Sequence, residues 1–312
     1  MLFFQPVDIS KRSMMEGYFS QWGGHSCQYS FMSAFGTQGM FGDKVCEKDN
    51  FLYILRTKRC TQTERVYLFP LGDFEDRTAL RNAVMNVLDD ARSYNLPARF
   101  DSVNKNAAEL VQELFSELFR VEPSRSYSEY IHKRSNLADY PGHKFSSRRY
   151  DYNLFFRRYA GRVNVSLINE EHIPAIREFQ ARWLTERKDT ADFDLKEELD
   201  AENVGVCRWL DNFFELGLSG IAVFIDGIMK GYAFGYHMSD GYYDVLVEKG
   251  DNGTEDIYCV LVRELVRRCC ADCEYINREE DCGTPGLRKA KMSYRPDFML
   301  EKFTIYETVN NE

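Results

Sequence analysis

The dipeptide Asp226-Gly227 restricts this chain more than any other feature. It stands between two apolar runs, residues 220–225 and 228–238. Asp-Gly in that setting supplies the positive φ angles that a two-residue hairpin needs, so the runs must pair antiparallel. A second turn, Ser239-Asp240-Gly241, leads into an apolar strand over 242–247. Three antiparallel strands therefore lie in the middle of the second half.

The flanks extend this pattern. A strand over 163–167 precedes a helix over 172–185 and a charged connection over 186–202. Next comes a helix with Val206, Trp209, Leu210 and Phe213 on one face. After the three strands, a helix over 255–271 places Ile257, Leu261, Leu265 and Cys269 in one row. A strand over 274–276, a short helix over 285–294 and a last strand over 303–306 complete the chain. The order implies an α/β (α+β) protein with a mixed sheet flanked by helices. It resembles the GNAT (acyl-CoA N-acyltransferase-like) fold.

The first half mixes elements in a similar way. One helix carries Leu80, Val84, Val87, Leu88 and Ala91. Another carries Ala107, Leu110, Val111, Leu114, Phe115 and Leu118, with Asp101 or Asn104 as cap candidates. Strands are expected over 65–69, 98–103 and 127–132, and a third helix over 143–159. Two tandem GNAT-like domains are expected, a degenerate one over 1–160 and one over 161–312 that carries the signature loop. No residue-level repeat links the two halves.

Composition narrows the class. The chain has 312 residues, 44% of them apolar, and only 8 prolines. That describes a globular protein without a long flexible linker. No stretch approaches the roughly 18 apolar residues of a membrane span, and the N-terminal residues lack the pattern of a signal peptide. A cytoplasmic protein is expected. Nine cysteines, an odd number, suggest reduced thiols. The net charge of −9 excludes a wholly basic nucleic-acid binder but leaves room for a local basic cleft.

Four places could carry chemistry. The first is Asn277-Arg278-Glu279-Glu280-Asp281-Cys282-Gly283 and the helix after it, at the end of a central strand, where ligands gather in α/β sheets. Its carboxylates could act as a base or grip an ammonium. Leu287, Ala290 and Tyr294 are expected on the apolar side of the helix. Arg288, Lys291 and Arg295 form a basic stripe suited to a phosphate or carboxylate. A solvated, charge-balanced loop is the alternative. The second place is the helix over 143–159, where Phe145, Arg149, Tyr152, Phe156 and Tyr159 share a stripe. An arginine on such a face calls for an anionic partner, either a carboxylate of the protein or a ligand phosphate. Lys144, Arg148, Arg157, Arg158 and Arg162 add a basic surface, which is either solvated or docks RNA or CoA phosphates.

The third place is the loop with Gly250 and Gly253 ahead of the next helix. Backbone N–H groups at such a helix start can hold a pyrophosphate, but Asp251, Glu255 and Asp256 oppose it, and an ordinary turn with Thr254 as N-cap competes. The fourth is Cys269, Cys270, Cys273 and Cys282. Cys270-x-x-Cys273 is half of a zinc pattern, but no histidine is near in sequence, so these thiols are expected to be packing residues and no metal ligand is assigned. His25, His132, His172 and His237 show no nucleophile–base context, and His237 could be a core residue or line the cleft. Gly-x-Ser-x-Gly, Walker and His-Glu-x-x-His motifs are absent.

Two of these places resemble a known family. Asn277-Arg278-Glu279-x-Asp281-x-Gly283-x-x-Gly286-Leu287-Arg288-x-x-Lys291-x-Ser293-Tyr294-x-Pro296 is similar to the signature of the phosphatidylglycerol lysyltransferase C-terminal-like (DUF2156) proteins. Gly142-x-Lys144-x-x-x-Arg148-Arg149-x-x-x-Asn153-x-Phe155 resembles that family's central basic motif, and Tyr67-x-x-Pro70-Leu71-Gly72 extends the likeness. Tyr150 and Cys282 depart from the pattern, where a small polar residue and Leu would be expected.

The resemblance implies tandem GNAT-like domains with one transferase cleft. Characterised members move an aminoacyl group from aminoacyl-tRNA to phosphatidylglycerol, attached to a membrane-spanning flippase, and no such part is expected here. It implies an acyl- or aminoacyl-transferase acting on an amine or hydroxyl acceptor. Asn277, Glu279, Asp281 and Tyr294 would be catalytic. Arg278, Arg288, Lys291, Arg148, Arg149, Lys144 and Asn153 would hold substrate or phosphate, with Gly250 and Gly253 as a weaker cofactor loop. No tightly bound cofactor is expected; acetyl-CoA, CoA or aminoacyl-tRNA would be a donor substrate, and peripheral lipid contact is compatible with the chain. The alternatives are an acetyl-CoA-dependent N-acetyltransferase and a non-catalytic GNAT-fold binding module.

Overall fold

A computed structural model describes residues 1–238 and 241–308. The expected turn at Ser239-Asp240 lies outside the described residues. The chain forms two compact units. The first holds Met1–Glu129, Glu280–Gly283 and the segment from Leu300 onward; the second holds Tyr130–Glu279 and Thr284–Met299. The division expected at residue 160 thus falls at 129/130, and two later segments rejoin the first unit. Strand exchange is the reason, as the topology shows.

The first unit runs β1 (Gln5–Pro6), α1 (Arg12–Trp22), α2 (Phe31–Gly36), β2 (Asp43–Lys48), β3 (Phe51–Arg56), β4 (Arg65–Leu71), α3 (Arg77–Arg92), β5 (Ala98–Asn104), α4 (Lys105–Phe115) and β6 (Phe119–Pro123). The second runs β7 (Glu129–Lys133), α5 (Arg134–Asp139), α6 (Ser146–Arg158), β8 (Val163–Leu167), α7 (Ile173–Asp189), α8 (Phe193–Asp211), β9 (Ser219–Ile225), β10 (Ile228–His237), β11 (Tyr242–Gly250), α9 (Ile257–Cys269), β12 (Tyr275–Asn277), α10 (Pro285–Ser293) and β13 (Phe298–Leu300). The last strand, β14 (Lys302–Glu307), belongs to the first sheet.

Each sheet has seven strands, in the orders β1-β2-β3-β4-β5-β14-β6 and β13-β7-β12-β11-β10-β9-β8. Each contains an antiparallel run ending in one parallel pair, β4 with β5 and β11 with β12. The strand beyond each parallel pair comes from the other half of the sequence: β14 lies beside β5, and β7 beside β12. The two halves therefore repeat one topology, although no residue repeat betrays it.

The amphipathic rows decide the cores. In the first unit, Leu80, Val84, Val87, Leu88 and Ala91 of α3 pack with Ala107, Val111 and Phe115 of α4 onto Tyr67 and Phe100. Asp76 caps α3 by accepting from the Thr78 and Ala79 amides. Asn104 stands at the N-cap of α4, but its side chain donates to Gly23 O, and Asp101 lies within β5. In the second unit the whole row Ile257, Leu261, Leu265 and Cys269 is buried against Phe145, Phe155, Tyr243 and Ile276. The charged connection expected over 186–202 is helical: α7 continues to Asp189 and α8 begins at Phe193. Lys188 lies 2.7 Å from Asp200 on the outer side, Glu202 turns inward to the buried Lys249 at 2.7 Å, and Leu199 is buried.

One glycine sets the geometry at the centre of the second sheet. A Cβ at Gly235 would lie 1.9 Å from Asp244 O, at the point where the β10–β11 register shifts. The strands can approach only because that atom is missing. Gly235→Ala must push β10 from β11, and the expected loss is roughly 1–3 kcal/mol of stability, read as a lowered thermal midpoint. An unchanged midpoint would contradict the close approach.

Candidate functional site

The parallel pair β11 and β12 sets up the site in the second unit. Their register runs only from Tyr242↔Tyr275 to Asp244↔Asn277. Beyond it, β11 continues to Gly250 along β10. The other chain turns to β7 instead: Arg278 N–H donates to Tyr130 O at 3.0 Å, and Tyr130 N–H to Glu279 O at 3.1 Å. The two parallel strands diverge, and a buried arginine bridges the opening.

Arg278 reaches Glu248 of β11 with both limbs of its fork, Nε to Oε1 at 3.0 Å and Nη2 to Oε2 at 2.6 Å. Burial disfavours its charge, but Glu248 outweighs this and the pKa rises. Its guanidinium carbon lies 4.5 Å from the Tyr294 ring centroid, and Arg148 approaches the same ring at 5.2 Å. Tyr294 is buried; desolvation and the nearby Cys259 push its hydroxyl up and keep it protonated. Lys291 Nζ donates to Arg278 O at 2.5 Å. Cys259, whose thiol burial raises to about 11, donates to Arg148 O at 3.2 Å.

Helix α10 turns differently from expectation. Leu287 and Ala290 are exposed, while Arg288 and Lys291 are half-buried beside buried Tyr294. The basic stripe, not the aliphatic one, faces inward, because the divergent strands offer it carbonyl oxygen and aromatic surface. Arg295 is exposed.

The signature loop is divided between the units. Asn277 is buried, and its Oδ1 accepts from the Glu279 amide at 2.8 Å, which folds the turn. Glu279, half-buried, has φ 53°. Both belong to the second unit. Glu280, Asp281 and Gly283 belong to the first. There Glu280 accepts from Gln28 Nε2 at 2.6 Å and from the Cys27 thiol at 3.2 Å. Asp281 is fully buried, 3.1 Å from Arg125, and accepts from the Gly283 amide.

The basic helix also has a different chemistry. Arg149 was expected to need an anion; its Nη1 instead donates to the carbonyls of Tyr140 and, at 2.6 Å, Gly142. These lie just past the C-terminus of α5, where carbonyls carry partial negative charge. Arg148 is half-buried and 3.5 Å from Asp151. Arg158 and Arg162 pair with Glu255 and Asp226. Lys144, Asn153 and Arg157 are exposed. The loop with Gly250 and Gly253 makes its own hydrogen bonds: Asp251 accepts from the Gly253 amide at 3.1 Å and the Thr254 hydroxyl at 2.8 Å, and pairs with Lys230. Gly250 is closed in by Ile257 and Tyr258. Thr254 is not the cap, since α9 begins at Ile257 after Asp256.

Several participants carry no local motif. Glu248 lies in an apolar strand, and only the fold brings it to Arg278. His132 of β7 is fully buried, and neither ring nitrogen has a hydrogen-bond partner among the described residues. Burial, then Arg278 and Lys291, hold its pKa well below 6.5. In the first unit, a buried polar network joins distant segments. Lys302 Nζ meets Glu129 at 2.7 Å, Ser26 at 2.5 Å and Asn104 at 2.7 Å. Gln28 accepts from Arg56 at 2.5 Å. Asp43, 3.7 Å from Arg56, is pushed up to about 6 by burial against that guanidinium's opposing pull.

A split parallel pair with a buried guanidinium, a protonated tyrosine and inward-facing basic groups suits a carbonyl-transfer site. Residues 30–306 match the family described as "Phosphatidylglycerol lysyltransferase, C-terminal", and the chain belongs to that family. A conserved protein of unknown function from Bacteroides thetaiotaomicron VPI-5482 shares 26% identity with a TM-score of 0.88, over 99% of this chain and 100% of that one. The C-terminal domain (DUF2156) of a protein assigned as a lysylphosphatidylglycerol synthetase of Agrobacterium fabrum superposes with a TM-score of 0.65 at 12% identity, over 96% and 92%. A tandem GNAT protein from the clavulanic acid pathway gives 0.51 at 8% identity, over all of both chains. The fold is thus tandem GNAT-like, and family and fold together are those of an acyltransferase. No described helix is long and apolar enough to cross a membrane.

The environment of His132 has a measurable consequence. Its folded-state pKa lies below the unfolded value, so the unfolded chain binds the extra proton first. Stability from this group is complete above about pH 6.5 and falls as pH drops below it, by up to about 1.4 kcal/mol per pH unit. In His132→Phe, the acid-side slope of unfolding free energy should shrink by about one proton. An unchanged slope would mean that His132 is accessible to protons in the native state.

Proposed function

We propose that this protein transfers an aminoacyl group from aminoacyl-tRNA to an amine or hydroxyl acceptor, as a relative of the phosphatidylglycerol lysyltransferase C-terminal domain. The observation that carries the reading is the cluster of Arg278, Lys291, Arg148 and Tyr294 where β11 and β12 part, in a chain of this family. The acceptor nitrogen or oxygen attacks the ester carbonyl, and the carbon–oxygen bond to the tRNA ribose breaks. Glu279 takes the proton from the nucleophile; Tyr294, held protonated, supplies one to the departing ribose hydroxyl. Lys291 and Arg288 stabilise the developing oxyanion or hold the terminal phosphate. Asn277 shapes the turn that presents Glu279. Asp281 has the poorer claim to be the base, because Arg125 already neutralises it.

Support for tRNA over acyl-CoA comes from the loop at Gly253. The Gly253 amide is taken by the Asp251 carboxylate, the Ile257 and Cys259 amides by the carbonyls of Thr254 and Asp256, and Glu255 and Asp256 stand beside them. A diphosphate approaching there would have to displace Lys230 from Asp251 and Arg158 from Glu255 and Asp256.

Direct binding of the purified chain to charged tRNA, uncharged tRNA, acetyl-CoA and free CoA at two salt concentrations tests this. Charged tRNA should bind best and weaken with salt. Lys291→Ala and Arg288→Ala should each cost roughly tenfold to a hundredfold in transfer with little change in thermal midpoint. Saturable CoA binding would favour an N-acetyltransferase. Binding of neither donor, with full tolerance of Glu279→Gln, would leave a non-catalytic module.

A further inference from the structure

The sequence offers no histidine near Cys270-x-x-Cys273, but the fold brings one there. His237 ends β10, and Asp272 and Cys273 occupy the turn between α9 and β12. Cys273 Sγ lies 3.4 Å from His237 Nδ1, His237 Nδ1 lies 3.7 Å from Asp272 Oδ1, and Cys273 Sγ lies 3.9 Å from the same Oδ1. The three ligand atoms form a nearly equilateral triangle. A tetrahedral zinc ion with its usual bond lengths holds sulfur, nitrogen and oxygen ligands about 3.4 to 3.6 Å apart. The observed edges need only a few tenths of an ångström of closure.

We propose that His237, Asp272 and Cys273 bind a single zinc ion, with water in the fourth position. Sulfur, imidazole and carboxylate together select a borderline divalent cation over magnesium or calcium. The site has an entry path, because the side chains of His237 and Asp272 are 42% and 80% exposed while Cys273 is buried. It also has a supporting shell. The Cys273 amide donates to Cys270 O at 3.2 Å, which fixes the turn that presents its thiol. The Tyr243 ring meets the imidazole edge-on at 5.1 Å between centroids. The site lies before β12, whereas the signature loop follows that strand, about 10 Å along three residues. Zinc there would pin the start of β12 to the end of β10 and so brace the strand that presents Asn277, independently of which donor the transferase site accepts.

The full chain, kept reduced and stripped with a chelator, should take up one equivalent of Zn²⁺ in competition with a chromophoric chelator. Co²⁺ should give a thiolate charge-transfer band and the strong visible bands of tetrahedral coordination. Zinc should raise the thermal midpoint. His237→Ala, at an exposed position that leaves the core intact, and Cys273→Ser should each weaken binding by at least roughly tenfold and remove the cobalt–thiolate band. Cys282→Ser, which alters an exposed thiol elsewhere, should leave both unchanged. The proposal is overturned by an absence of saturable uptake, by unaltered affinity in His237→Ala and Cys273→Ser, or by loss of binding in Cys282→Ser.

Discussion

The bidentate pair of Arg278 with Glu248 is the interaction on which the second unit's centre depends. Once β12 turns toward β7, the facing edge of β11 loses its strand partner, and the Glu248 carboxylate on that edge would be left largely buried and unpaired. A guanidinium fills that opening because it is planar, always charged and able to meet a carboxylate with two parallel bonds. Tyr294 covers one face of it, and the Arg278 carbonyl holds Lys291. Tyrosine, lysine and the turn at Asn277 therefore all take their positions from one ion pair. Removing either partner strands a buried charge at about 3–5 kcal/mol, so a truncation there measures folding before it measures chemistry.

The first unit meets the same constraint in a different way. Lys302 is buried, and Glu129, Ser26 and Asn104 take its three donors. Glu129 also accepts the Cys27 amide at 3.0 Å. The residues come from the segment before α2, from β5, from the start of β7 and from β14. Full satisfaction is what makes such a group tolerable, since an unmatched donor there costs its whole desolvation. The exchanged strand β14 is thus fixed by polar matching as well as by Ile305 in the core.

What could be read in the sequence follows from range. Asp226-Gly227, the row Ile257, Leu261, Leu265, Cys269 and the helix at Pro285 are local patterns, and each appears in the fold. The hairpin through Asp49 and Asn50, with φ 53° and 58°, also carries a local signal, but a weaker one without glycine, and its apolar strand β3 lacks alternation because both faces are covered. Strand exchange left no trace, since β7 and β14 look like ordinary strands wherever they pair. The family signature marks Arg278, Lys291 and Arg148, but nothing local marks Glu248, His132 or His237. Glu248 and His237 each meet a partner distant in sequence, and His132 lies buried beside Arg278 and Lys291, only because the sheet order brings them together. The inward turn of the basic face of α10 also runs against hydrophobic patterning, because its neighbours are carbonyls and rings.

The loop before α9 carries the argument about the donor one step further. A helix start binds phosphate only when its first amides are unclaimed and its surroundings lack negative charge. Here the Ile257 and Cys259 amides go to the carbonyls of Thr254 and Asp256, the Asp251 carboxylate takes the Gly253 amide and the Thr254 hydroxyl ahead of them, and Asp256 reaches the helix through a left-handed φ of 64° that leaves its side chain no cap bond. Lys230 and Arg158 neutralise these acids within the protein itself. The loop is a finished structure that would have to be dismantled to receive a pyrophosphate. The basic groups beside Tyr294 instead converge where the strands open. In the proposed chemistry, a donor whose phosphates approach from the α10 side would meet attraction, and one that relied on the α9 amides would have to break the Lys230 and Arg158 pairs first.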